Sequence, residues 1–204
     1  MLKIDLACDR YSCPVFKKCC YLPTEYFVSP EGKVDILFVG QGGGRDERRK
    51  KRPFIGRAGR RLRQLVVYLR VKLDKQFGVA FSNTIRDNPE DNRPPDYDEL
   101  QFCLPYLYRD IAELKAKGLK CVVALGNPSK RALIKTSSTS MERDHGKIYT
   151  VSNEVFGTIL MIPTYHPSFL CREHQVWHPE KPGEFEVLAL ADIEKALNLK
   201  SVGV

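Results

Sequence analysis

The chain has 204 residues, with 33 Lys or Arg against 25 Asp or Glu, a formal charge of +8 at pH 7. A hydrophobic content of 43% excludes wholesale disorder, and no apolar run approaches the ~18 residues of a membrane span. No signal-peptide pattern opens the chain. Four of its seven cysteines crowd into the first twenty residues, which in an intracellular protein reads as metal binding before disulfides.

Residues 1–22 form a Cys-rich arm without clear periodicity, and 23–33 read as a loop. The short, nearly continuous apolar run 34–39 predicts a buried strand ending at Gly40. A Gly- and Arg-rich loop covers 40–56. A helix follows over 58–75, with Leu62, Leu65, Val66 and Leu69 at helical spacing. Residues 79–82 predict a second strand ending at Asn83, and the Pro and Asn breakers of 84–95 a long loop. A helix over 97–117 stops at Gly118. Residues 121–125 predict the third strand, ending at Gly126, and 128–134 a short helix opened by Pro128. A loop and hairpin fill 135–156, the fourth strand is 158–162, and the last helix is 184–199. Strands alternating with helices imply an α/β fold: a three-layer α/β/α sandwich with a central four-stranded, mostly parallel sheet, one domain over 1–204.

Ligands of such sheets bind beyond the carboxyl ends of the strands. There stand Gly40 to Gly44, Asn83, Gly126-Asn127 and His166. The glycine turn matches neither a phosphate loop nor a dinucleotide fingerprint; it permits a tight turn and close approach to a ligand. Ten Lys or Arg lie between residues 45 and 63 against Asp46 and Glu47, which favours a phosphate backbone as partner. An Asn amide offers a donor beside an acceptor, the complement of uracil O4 and N3–H; cytosine presents the inverse pattern. His166, held off helical geometry by Pro167, can donate to an oxygen that gains negative charge. Cys8, Cys13, Cys19, Cys20 and Cys103 are candidate thiolate ligands for zinc or an iron–sulfur cluster, both of which take four. Cys121 and Cys171 read as free thiols.

Together these segments resemble the family 4, iron–sulfur, uracil-DNA glycosylases, over nearly the whole chain. Gly40 to Gly44 stand where the family has Gly-Glu-Ala-Pro-Gly. Arg52-Pro53-Phe54-Ile55-Gly56-Arg57-Ala58-Gly59 match its Arg-Pro-Phe-Val-Gly-Arg-Ala-Gly. The strand ending in Asn83, then Cys103-Leu104-Pro105-Tyr106-Leu107, Val123-Ala124-Leu125-Gly126 and Tyr165-His166-Pro167-Ser168 follow in the family's order.

The resemblance implies a monomeric, monofunctional glycosylase that flips uracil out of single- or double-stranded DNA and hydrolyses its glycosidic bond, with no membrane partner. Phe54 would stack on the base, Asn83 read its edge and His166 stabilise the charge at O2. Gly40, Gln41 and Gly42 would frame the pocket. Arg48, Arg49, Lys50, Lys51, Arg52, Arg57, Ser168 and Arg172 would hold the DNA. Two departures stand out. Gln41-Gly42-Gly43 replace Glu-Ala-Pro and remove a carboxylate; Glu47, ahead of Asp46, is the substitute expected to orient water. A catalytically inactive DNA-binding or replication accessory protein is the alternative. Asp87 replaces the family's loop cysteine, so the expected 4Fe–4S ligands are Cys8, Cys13, Cys20 (or Cys19) and Cys103, in preference to Asp87. Residues 45–52 hold no His that could crosslink to DNA, so turnover is expected.

Overall fold

The computed structural model describes residues 1–4, 12–13, 22–87, 89, 93–134, 140–173 and 178–200. Among them, seven strands form one mixed sheet: β1 (Leu2–Ile4), β2 (Thr24–Phe27), β3 (Ile36–Gly40), β4 (Val79–Asn83), β5 (Cys121–Leu125), β6 (Tyr149–Asn153) and β7 (Gly157–Thr164). Their order is β1-β2-β4-β3-β5-β7-β6. The four expected strands are the parallel centre, β4-β3-β5-β7. The expected four-stranded sheet is nevertheless too small, because β1 and β2 extend one edge and β6 the other, all antiparallel. Residues 23–33 are therefore not all loop. The hairpin expected within 135–156 is instead formed by β6 with β7, the expected fourth strand, closing between Asn153 and Gly157.

The described residues include seven helices: α1 (Arg45–Lys50), α2 (Arg57–Lys72), α3 (Tyr97–Lys115), α4 (Gly126–Ile134), α5 (Met141–Asp144), α6 (Pro167–Glu173) and α7 (Glu184–Leu197). The expected loop 40–56 thus contains a helix, α1, and α5 and α6 are further short helices that the pattern does not announce. α3 begins in a capping box: the Glu99 amide donates to Asp96 Oδ1 at 2.9 Å, and the Asp96 amide to Glu99 Oε2 at 2.9 Å.

The two-residue period of the strands splits the core. Ile36 and Phe38 of β3, with Phe81 and Val123, pack under Leu62, Leu65 and Leu69 of α2 and Ile193 of α7. Leu37 and Val39, with Ala80 and Val122, pack under Leu104, Leu107 and Ile111 of α3 and Leu133 of α4. Each such side chain contributes about 1.5–3 kcal/mol by leaving water, so β3 is held from both faces. That rigidity reaches the strand ends. Gly40 pairs in register with Asn83, and Leu125 with Thr164, so the glycine turn, Asn83, Gly126 and the Tyr165-His166 segment leave the sheet along one edge.

Candidate active site

A cavity of about 810 Å³ opens at that edge. Gln41, Gly42, Phe54, Asn83 and His166 all line it, as do Asp46 and Glu47. The structure therefore brings together residues that the motifs single out between positions 41 and 166 of the sequence.

The turn is fastened to the end of β4. The Thr84 amide donates to the Gly40 carbonyl at 2.8 Å; the Gln41 carbonyl accepts from the Ile85 amide at 3.0 Å and the Thr84 hydroxyl at 2.8 Å. Asn83 is 7% exposed. A Cβ on Gly40 would stand 2.7 Å from Asn83 Oδ1 and 2.8 Å from Phe54 Cζ, so the absence of a side chain there lets both walls approach. Phe54 is backed by Phe81, with ring centroids 5.9 Å apart, and Phe81 in turn stacks on Phe38 at 5.6 Å.

Glu47 has a role that the sequence pattern does not show. It is nearly buried, and its Oε1 accepts from the Ile55 amide at 3.0 Å and the Gly56 amide at 2.6 Å. Charge-assisted bonds to two consecutive amides fix the segment that follows Phe54. One oxygen of the expected water-orienting carboxylate is thus already employed in shaping the wall.

His166 follows β7. The Ser168 amide donates to His166 Nδ1 at 3.1 Å, and the Ser168 hydroxyl lies 2.7 Å from the same atom. Nδ1 is therefore an acceptor, which leaves the ring proton on Nε2. Burial pushes the His166 pKa down from 6.5 to about 4, so the ring is neutral at pH 7. Ser168, expected to touch DNA, also sets this tautomer; the His-Pro-Ser triplet is the sequence signal for it.

The basic residues divide. Arg45, Arg57 and Arg172 line the cavity, and Lys50 and Lys51 are exposed. Arg49 lies 3.8 Å from Asp46, and Arg48 pairs with Asp87 at 3.4 Å. Arg57 also donates to the Cys171 carbonyl at 2.7 Å. Arg61 is buried against Glu186, and Arg52 and Arg63 both pair with Glu25 of β2. The positive run is therefore less of a surface than its sequence suggests. Arg52, expected on the DNA side, spends its guanidinium on a carboxylate with no exposed area.

Of the expected cluster ligands, Cys8, Cys19 and Cys20 lie outside the described residues. Cys13 is half-buried, and Cys103 is buried on α3. Among the described residues no three His, Cys, Asp or Glu gather as a metal site. Where the arm rejoins the described chain, the Leu22 amide donates to the Arg86 carbonyl at 2.8 Å, and Arg86 returns a bond to the Leu22 carbonyl at 3.3 Å. The arm thus ends against the loop after Asn83. Burial pushes the Cys121 thiol up to about 12, which keeps it protonated.

Residues 27–194 match the family model of the uracil DNA glycosylase superfamily. The type-4 uracil-DNA glycosylase of Thermotoga maritima is 31% identical over 186 residues, covering 88% of each chain. That of Pyrobaculum aerophilum is 31% identical over 183 residues, 88% of this chain and 84% of the relative. That of Saccharolobus solfataricus is 34% identical over 140 residues, and the match spans 67% of this chain but only 62% of that relative's length. With the glycine turn, the Phe54 segment, Asn83 and His166 gathered at one sheet edge, the chain belongs to the uracil-DNA glycosylase superfamily, among its type-4 members.

Proposed function

We propose that this chain is a monofunctional glycosylase that excises uracil from single- or double-stranded DNA and leaves an abasic site, with residues 1–204 acting as one monomeric unit. The observation that carries the reading is the convergence of Phe54, Asn83 and His166 on one cavity. Its volume, about 810 Å³, lies in the range of small-molecule pockets.

Flipping a base costs on the order of a few kcal/mol, and stacking on Phe54 returns about 1–3 kcal/mol. The Asn83 amide donates to uracil O4 and accepts from N3–H; cytosine would leave both groups unpaired. The C1′–N1 bond breaks with its electron pair passing to the base. His166 Nε2–H donates to O2, where that charge gathers. Water adds to C1′ of the oxocarbenium-like sugar and gives its proton to a wall carboxylate or to solvent. Asp46 and the second oxygen of Glu47 are the carboxylate groups on the wall. Arg45, Lys50, Lys51, Arg57 and Arg172 face the phosphates.

A 4Fe–4S cluster is part of the same proposal. The thiols of Cys13 and Cys103 suit iron–sulfur in donor chemistry, and Cys8 with Cys20 (or Cys19) would complete the four. Asp87 is already paired with Arg48, which supports a thiol in place of it. The cluster would supply a structural tie between the arm and the loop after Asn83; no step of excision passes through it.

A DNA-binding protein without turnover is the second reading, favoured by Gln41-Gly42-Gly43 where the family has Glu-Ala-Pro. A uracil-containing oligonucleotide treated with the protein and then with alkali separates the two. Strand cleavage at the uracil supports the first; intact strands at enzyme excess, with DNA bound, establish the second.

A further inference from the structure

Phe54 adopts a φ of 53°, a left-handed conformation that a bulky residue holds only where its surroundings enforce it. Glu47 fixes the two amides after it. Gly59 leaves room beneath it, since a Cβ there would overlap the Phe54 backbone itself. A third restraint comes from α2. Arg63 Nε donates to the Phe54 carbonyl at 2.9 Å, and its Nη2 to the Pro53 carbonyl at 3.1 Å.

Arg63 reaches these carbonyls between aromatic faces, its Cζ 4.3 Å from the Phe81 ring centroid and 5.8 Å from that of Phe27. A guanidinium drawn out of water needs a counter-charge. Glu25 supplies it: its side chain has 0% exposure, and Oε2 lies 3.4 Å from Arg63 Nη2. The same carboxylate accepts from Arg52 Nε at 2.8 Å and Nη2 at 3.3 Å. One buried acid on β2 therefore anchors two arginines, one within the Phe54 motif and one bonded to its backbone. A lysine at 63 could answer the charge, but not the forked geometry that spans two carbonyls and a carboxylate.

We infer that Glu25 and Arg63 are positioning residues that preset the aromatic wall of the base pocket by holding the Phe54 carbonyl. The inference rests on the glycosylase reading. Neither residue touches the base; both act through Phe54.

The test is a double-mutant cycle. Arg63→Lys, Arg63→Met and Glu25→Gln are each made in the natural chain and with Phe54→Leu. Single-turnover excision from a uracil oligonucleotide is measured at saturating protein, and affinity for uracil-free DNA by anisotropy. Each change at 63 should slow excision about tenfold, equivalent to about 1.4 kcal/mol, while affinity for uracil-free DNA stays within about twofold. The same change should matter by less than about twofold once Phe54 is Leu. Unchanged excision in Arg63→Lys, or losses that multiply with that of Phe54→Leu, would overturn the inference. If Arg63→Met does not fold, Arg63→Lys and Glu25→Gln complete the cycle. If the natural chain excises nothing, the glycosylase reading fails separately. The pair is then judged by preference for uracil over thymine in single-stranded DNA, which Arg63→Lys should abolish; a preference that survives, or one absent from the start, defeats it.

Discussion

Gly40→Ala separates folding from chemistry. Gly40 does not hold a positive φ, so its backbone accepts alanine. The new Cβ would stand 2.7 Å from Asn83 Oδ1 and 2.8 Å from Phe54 Cζ. Ordinary contact begins near 3.5 Å, so each must retreat by roughly 0.7–0.8 Å. Both are side-chain tips, which yield more easily than backbone. The stability loss should therefore fall at the low end for overpacking, about 1 kcal/mol, or about 2–4 °C in Tm for a chain of this size. Under the proposed function, however, those tips are the atoms that would read and stack the base, and a displacement of about 1 Å can cost about 100-fold in rate. Single-turnover excision should fall about 30–100-fold, with affinity for uracil-free DNA unchanged. A variant with the natural excision rate would refute the reasoning. So would a Tm loss well above 10 °C, because it would make Gly40 a packing position.

His166→Asn should slow excision about 10²–10³-fold while DNA binding persists. Because burial pushes His166 down to about 4, the pH–rate profile of the natural protein should show no limb at 6.5; a limb there would contradict the neutral donor. The folded pKa lies below the unfolded one, so stability attributable to this ring is complete above about 6.5 and lost as pH falls toward 4, a slope that denaturant unfolding of His166→Asn should lack. Glu47→Gln should lower both Tm and rate, because two amides lose a charged acceptor, whereas Asp46→Asn should slow excision at unchanged Tm; equal Tm losses would count against this division. Lys50→Ala or Lys51→Ala should each reduce the slope of log affinity against log salt by about 0.9, and an unaltered slope would remove that lysine from the phosphate path. Anaerobically purified protein should absorb near about 400 nm; loss of the band and of Tm in Cys103→Ser would support the cluster, and its absence from the natural protein would exclude it.

The parallel centre of the sheet was legible because its strands are apolar on both faces and stop at Gly, Asn or a Tyr-His-Pro turn. The edges were not. Thr24-Glu25-Tyr26-Phe27 looks like loop because a carboxylate sits in its middle, and Arg52 and Arg63, 27 and 38 residues later, make its burial tolerable. α1 consists of six charged residues and has no apolar period to detect. In the site, Asn83, Phe54 and His166 stand out from motif order, since each closes a strand or a turn that the pattern already places. Glu47 carries a chemical expectation because it matches an acidic position of the family motif; that it bonds the Phe54 turn depends on a turn geometry no spacing reveals. The basic run overstates the free positive surface for the opposite reason, because charge counted along the chain ignores that Arg52, Arg61 and Arg63 turn to buried acids.

β4 lies between β2 and β3 in the sheet, although both are synthesised before it. Leu22 and Arg86, which seat the arm, are 64 residues apart. At about 5–20 residues per second, roughly 3–13 s separate their synthesis. Throughout that interval the segment that seats Leu22 has not yet been made. Arm seating therefore waits on residue 86, and the pocket is complete only when His166, much later in the chain, has been made.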